Sequence, residues 1–160
     1  MTFVLASLAS LLAIANSWLI WRARRPRVRL GLSVQPHPAG GFTLAGGMPT
    51  PWEMLQLDIT NTSQGAVRLG GIRMRMDTGA QEPCVFWDDV QEERVRKQPI
   101  DAGATAFMVC DDNDESRLAN VRAIVAYVHG GPPALLSARA IRRALRELQQ
   151  VRASGRYRGD

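Results

Sequence analysis

The sequence predicts a mainly β protein with a transmembrane helix at its N-terminus, an antiparallel sandwich of about seven strands and an amphipathic helix at its C-terminus. Three observations favour this fold class: an uncharged apolar run, a series of short segments that alternate apolar and polar side chains, and an arginine-rich segment with helical spacing. The predicted parts are a transmembrane helix at 3–21, a basic juxtamembrane linker at 22–27, the sandwich at 28–130, the basic amphipathic helix at 134–152 and a flexible tail at 153–160.

The apolar run is long enough to cross a bilayer. Its 19 uncharged residues would extend about 28 Å as a helix, close to the thickness of the hydrocarbon core. Tryptophan favours the headgroup level, and arginines follow at once. Two small-xxx-small pairs, Ala6 with Ser10 and Ala9 with Ala13, could also let two such helices pack as a homodimer, although the ordinary abundance of alanine and serine in membrane helices is the favoured explanation. The predicted membrane interface consists of Trp18, Trp21, Arg22, Arg24, Arg25 and Arg27.

The position of the arginines predicts an orientation. Five arginines follow the run within nine residues, whereas none precedes it. By the positive-inside rule, the chain is expected in the inner (cytoplasmic) membrane as a single-pass protein, with its N-terminus outside and its C-terminal domain in the cytoplasm. The alternatives are an inverted anchor and a signal peptide cleaved after Ala13-Ile14-Ala15.

The net charge of +5 is unevenly distributed. Nineteen of the 20 basic residues are arginine, and three blocks, 22–30, 31–136 and 137–160, carry +5, −5 and +5. The composition excludes a disordered or collagen-like chain. The acidic body would repel phosphate, and aromatic residues are not interleaved with the arginines, so nucleic acid is not expected as a partner.

The body alternates with a period of two residues. The phase of the alternation changes at Gly70 and Gly71, which predicts a β-bulge there. The segment 121–128 is β-branched and aromatic, as in a buried central strand. The other predicted strands are centred on 28–34, Phe42 with Leu44, 55–59, 67–76, 84–87 and 105–109.

The strand 55–63 leading through Asn61-Thr62-Ser63 into 66–69, the turn at 99–103 and the strand beginning at Val121 resemble small bacterial membrane-anchored proteins with an immunoglobulin-like sandwich. The resemblance covers residues 1 to about 130. It implies the immunoglobulin-like fold and a non-enzymatic module, and it assigns no functional residue. It would also place a last strand after Gly131, where the sequence instead favours a helix.

The C-terminal segment predicts a helix that begins after the N-cap Ser137 and runs to about residue 152. One face is apolar, with Ala138, Ile141, Leu145 and Leu148. The opposite face is basic, with Arg139, Arg142, Arg143 and Arg146. Glu147 alone cannot neutralise these arginines. The expected partner is an anionic lipid surface or an unknown protein, and a purely solvated face is the competing interpretation.

The search for catalytic chemistry finds no convergent set of groups. His37 and His129 are isolated, and the acidic run 110–115 fails as a calcium loop because Ser116 and Arg122 replace the required glycine and glutamate. No catalytic residue, metal site or cofactor is therefore expected. The predicted function is a membrane-anchored interaction or scaffolding module with a cytoplasmic sandwich. The alternative is a periplasmic or secreted adaptor or ligand-binding sandwich with a Cys84–Cys110 disulfide.

Overall fold

In a computed structural model, the chain forms two antiparallel sheets flanked by helices at both ends of the sequence. The structure describes residues 2–37, 52–86, 98–110 and 115–154. In chain order, the elements are α1 (Thr2–Arg24), β1 (Val28–His37), β2 (Trp52–Asn61), β3 (Leu69–Met76), β4 (Gln81–Pro83), β5 (Thr105–Val109), α2 (Glu115–Leu118), β6 (Val121–Val128), β7 (Ala134–Ser137) and α3 (Ala138–Ser154).

The two sheets have the strand orders β1-β2-β5 and β4-β3-β6-β7. All pairings are antiparallel. In β2 the alternation of the sequence matches the pleat, because Leu55, Leu57 and Ile59 are fully buried while Gln56 and Asp58 between them are half-buried. The mainly β prediction is thus confirmed, with one three-stranded and one four-stranded sheet.

The predicted bulge lies in β3. The register between β3 and β6 shifts between Leu69 and Gly71. Gly71 has a φ of 148°, a backbone conformation that favours glycine. The extra residue lets both Leu69 and Ile72 point into the core, where they are 1% and 2% exposed. The phase change that is visible in the sequence is therefore confirmed as a register shift.

Side chains from both sheets and from α3 form one hydrophobic core. Met108 of β5, Met74 of β3 and Ile124 of β6 are fully buried, and Ile141 and Leu148 of α3 are buried in the same cluster. The sheets therefore pack face to face, and α3 completes the core.

The helix α3 lies across one end of the sandwich. Its N-terminus follows Ser137, which pairs with Ala123 near the start of β6. Near its C-terminus, Arg152 donates a hydrogen bond to the carbonyl oxygen of Glu53, at the start of β2. The other helix, α1, joins β1 at Val28, which pairs with the last residue of β2. Glu53 and Asn61 lie eight residues apart in β2, so the two contacts are separated by roughly 27 Å of strand.

Several sequence predictions about strands need correction. Residues 84–86 lie outside any strand, and β4 instead precedes them at Gln81–Pro83. The segment Ala134–Ser137, predicted as the start of the basic helix, is strand β7. The strand predicted at Phe42 and Leu44 lies outside the described residues.

The prediction of a transmembrane helix at 3–21 is wrong. Among the described residues, no helix has both the length and the apolar character that a membrane crossing needs. The helix that forms, α1, includes Ser10, Asn16 and Ser17 and continues through Arg22 to Arg24, so it mixes polar and apolar residues. The predicted single-pass location in the inner membrane, with the N-terminus outside, depends on this helix and is therefore not supported.

Candidate interaction surface

The helix α3 is fixed on the sandwich by its apolar face. Ile141, Ala144 and Leu148 are 0%, 3% and 1% exposed, and Leu145 is half-buried. This confirms burial of Ile141 and Leu148 and adds Ala144, which completes the i, i+3, i+7 spacing. At the N-terminus, the Ala140 amide donates a hydrogen bond to Ser137 Oγ at 3.5 Å, as expected for the predicted N-cap.

The basic face of α3, defined as Arg139, Arg142, Arg143 and Arg146, is exposed to solvent. None of the four arginines forms an ion pair with a described residue. The acidic side chain within the helix, Glu147, is also exposed. The structure thus brings the four predicted arginines together on one rigid surface, with their charge available to an anionic partner.

An open groove of about 580 Å³ begins at Arg143 and Arg146 of the basic face and continues along the C-terminal part of α3. Its described lining is Arg143, Arg146, Glu147, Gln150, Val151 and Ser154. These residues follow the i, i+3, i+4 spacing of one helix face. The described lining therefore combines two guanidinium groups and one carboxylate with amide, hydroxyl and aliphatic groups.

A clamp holds the C-terminal end of α3. Arg152 donates from Nη1 and Nη2 to the two carboxylate oxygens of Glu115 at 2.8 and 2.9 Å. Its Nη2 also donates to the Glu53 carbonyl oxygen at 3.0 Å. Such a bidentate pair fixes geometry better than a single contact. The sequence gives no sign of this clamp, because Glu115 lies 37 residues away in a run that suggests a solvated loop.

The residues predicted to form a membrane interface lie at the opposite end of the sandwich. Trp18 and Trp21 are half exposed, and the Arg25 guanidinium stacks on the Trp21 ring at 3.5 Å from its centroid. The carbonyl oxygen of Arg27 accepts a hydrogen bond from the Thr62 amide, which ties this segment to the sandwich. The side chains of Arg22 and Arg24 lie outside the described set.

Both cysteines are buried, and they do not form a Cys84–Cys110 disulfide in this structure. Burial raises the pKa of the Cys84 thiol to about 11, against the smaller lowering effects of a hydrogen bond from the Phe86 backbone and of Arg117. This cysteine is therefore protonated at neutral pH and is a poor nucleophile.

The rejected calcium loop falls largely outside the described residues, which exclude 111–114. Its last member, Glu115, is engaged by Arg152. Within the described ranges, no three His, Cys, Asp or Glu side chains gather as a metal site would require. His129 is exposed, and the side chain of His37 is outside the described set.

Comparisons with models of known families, with characterised proteins and with solved structures give no match, so the basic face of α3 and its groove are interpreted from their own geometry.

Proposed function

We propose that this protein is a non-enzymatic interaction module, in which the sandwich presents the basic face of α3 to an acidic surface of a protein partner. The observation that carries this proposal is the placement of four exposed arginines on one face of a helix whose other face is buried. Such a surface gains Coulomb energy when a partner supplies carboxylates, because the arginines repel each other without one.

The rigidity of α3 supports a role in recognition. The buried residues Ile141 and Leu148 set the rotation of the helix, and the Arg152 clamp sets the position of its C-terminal end. A partner would therefore meet four arginines whose backbone positions are already fixed. Less conformational entropy is lost on binding when the surface is preorganised.

The location of α3 favours a protein over a lipid surface. The lipid interpretation depends on an anchor that would hold the arginines beside anionic headgroups. The helix α1 instead joins the sandwich at the opposite end, about 27 Å along β2 from the contact of Arg152 with Glu53. The groove beside Arg143 and Val151 also offers an aliphatic contact next to the charges, which suits a peptide with acidic and apolar side chains.

The proposal can be tested with a fluorescent ten-residue oligoglutamate peptide as the probe. Binding to the full chain is measured by fluorescence anisotropy at two salt concentrations. Changing the four arginines of the basic face to Glu should weaken binding at least tenfold, and the salt dependence should disappear with it. Circular dichroism would verify that α3 still forms, since the buried face is unchanged.

The chain offers a matched control. Changing Arg68, Arg73, Arg75 and Arg122, which are exposed elsewhere on the sandwich, to Glu alters the net charge by the same amount. This variant should bind the peptide within about twofold of the parent. Equal loss in both variants would mean that binding follows net charge alone. Binding of the parent to phosphatidylserine vesicles without binding to the peptide would assign the basic face to lipid. Either result would overturn the proposal.

A further inference from the structure

Strand β5 forms one edge of the three-stranded sheet. It pairs with β2 from Gln56↔Val109 to Thr60↔Thr105, and no described residue pairs with its other side. The Cys110 amide donates to the Leu55 carbonyl, and the Asn61 amide donates to the Ala104 carbonyl. Backbone groups alternate in direction along a strand, so the amides and carbonyls of Thr105, Phe107 and Val109 point away from β2.

The outer edge of β5, which is unpaired among the described strands, is apolar and uncharged. Its sequence, Thr-Ala-Phe-Met-Val, contains no Gly, Pro or charged residue, and residues with high strand propensity occupy its outward positions. Phe107 is 62% exposed, although it is a large aromatic side chain. Such an edge is a template for pairing with another strand.

The other sheet edges carry features that oppose such pairing. Strand β4 has three residues and contains Glu82 and Pro83. Strand β7 has four residues and follows Pro132 and Pro133. Strand β1 carries Arg29 and lies against β7. Short length, proline and charge are the usual means by which natural proteins protect an edge. Among the described strands, β5 is the edge that has none of them.

We propose that β5 pairs antiparallel with β5 of a second copy of this chain, with the twofold axis at Phe107. In this register Phe107 faces Phe107 of the second copy, and Thr105 faces Val109. The three outward amides and three outward carbonyls of each strand then exchange six hydrogen bonds. No like charges meet across the interface, and the two three-stranded sheets become one of six strands. A second copy fits because the strand is self-complementary under a twofold axis.

Cysteine cross-linking of the full chain tests this register. In a hydrogen-bonded antiparallel pair, the Cα atoms are about 5.5 Å apart, which a disulfide can bridge. Phe107→Cys should therefore give a covalent dimer in non-reducing gels after oxidation with oxidised glutathione. Cys84 and Cys110 are buried and should not compete. Thr105→Cys should stay monomeric alone, because its symmetry mate lies about 13 Å away along the strand.

The twofold register also predicts which pair of different cysteine variants can cross-link. Val109→Cys should also fail to cross-link alone, but a mixture of the Thr105→Cys and Val109→Cys chains should form the mixed disulfide. Adding Phe107→Lys to both chains should lower its yield at least tenfold, because two ammonium groups would then face each other. Absence of the Phe107→Cys dimer in folded protein, cross-linking of Thr105→Cys alone, or an unchanged yield with Phe107→Lys would each overturn the proposal.

Discussion

Replacing Asn61 with alanine should destabilise the sandwich by about 2–3 kcal/mol. The Asn61 side chain is fully buried. Its amide donates to the carbonyl oxygens of Gly65 and Ile100, each at 2.8 Å. Its Oδ1 accepts from the amide and the hydroxyl of Ser63 at 2.9 and 2.5 Å. The side chain thus connects the turn after β2 to the segment before β5.

The magnitude follows from these bonds. Four hydrogen bonds at about 1 kcal/mol each set an upper figure of roughly 4 kcal/mol. Part of this is recovered, because without Asn61 the single hydroxyl proton of Ser63 can be donated to Gly65 O, 3.1 Å away, and Ile100 O keeps a second bond from the Val67 amide. Urea denaturation followed by circular dichroism would measure the change from the shift in midpoint at constant slope.

Asn61→Asp is the informative companion variant. It keeps the acceptor for Ser63 but, when ionised, directs a carboxylate toward the carbonyl oxygens of Gly65 and Ile100. Burial and these oxygens should raise the pKa of the new carboxyl in the folded state above its unfolded value. The folded state then binds more protons, so the stability of this variant relative to the parent should be greatest at low pH and fall as pH rises through the folded pKa.

Two results would refute this reasoning about Asn61. One is a loss below about 0.5 kcal/mol for the alanine variant, which is the range of an ordinary surface change. The other is a pH dependence of the aspartate variant that equals that of the alanine variant, since alanine has no proton to bind.

Three further predictions concern packing and the buried thiol. Ile141→Ala, in the fully buried contact of α3 with the sandwich, should cost about 2–5 kcal/mol and lower the urea midpoint accordingly. Gly131→Ala would place a Cβ atom against the Pro26 carbonyl oxygen, so it should cost about 1–3 kcal/mol, whereas Gly65→Ala, with open space around it, should change the midpoint little. Because the pKa of Cys84 rises from an ordinary 9.0 to about 11, its contribution to stability is present below pH 9 and lost as pH rises toward 11. The urea midpoint should therefore fall less between pH 8 and pH 10.5 for Cys84→Ala than for the parent.

The strands β2 and β6 could be predicted because their burial patterns are local. In β2 each buried residue alternates with a polar one, and β6 is nearly continuous in apolar residues. The basic face of α3 was predictable for the same reason, since helical spacing separates the arginines from Ile141 and Leu148. The bulge at Gly71 was also visible as a change of phase.

The pairing of strands and the contacts between distant segments could not be predicted in the same way. The residues of β7, Ala-Leu-Leu-Ser, suit a helix as well as a strand, and pairing with β6 decides between them. The Arg152 clamp joins residues that are distant in sequence. The transmembrane prediction depended on the lack of charge in the N-terminal run and gave too little weight to its polar residues and to the continuation of α1 through Arg24.

The junction between β7 and α3 has a mechanical consequence. Ser137 is the last residue of β7, and its hydroxyl also accepts the hydrogen bond from the Ala140 amide, so no loop separates strand from helix. A hinge needs residues whose backbone angles can change freely, and both neighbours here are fixed by hydrogen bonds. The helix α3 therefore continues directly from β7 without a flexible hinge. A force applied to its arginines is therefore transmitted to the pairing of β7 with β6 as well as to the buried face of α3 and the Arg152 clamp.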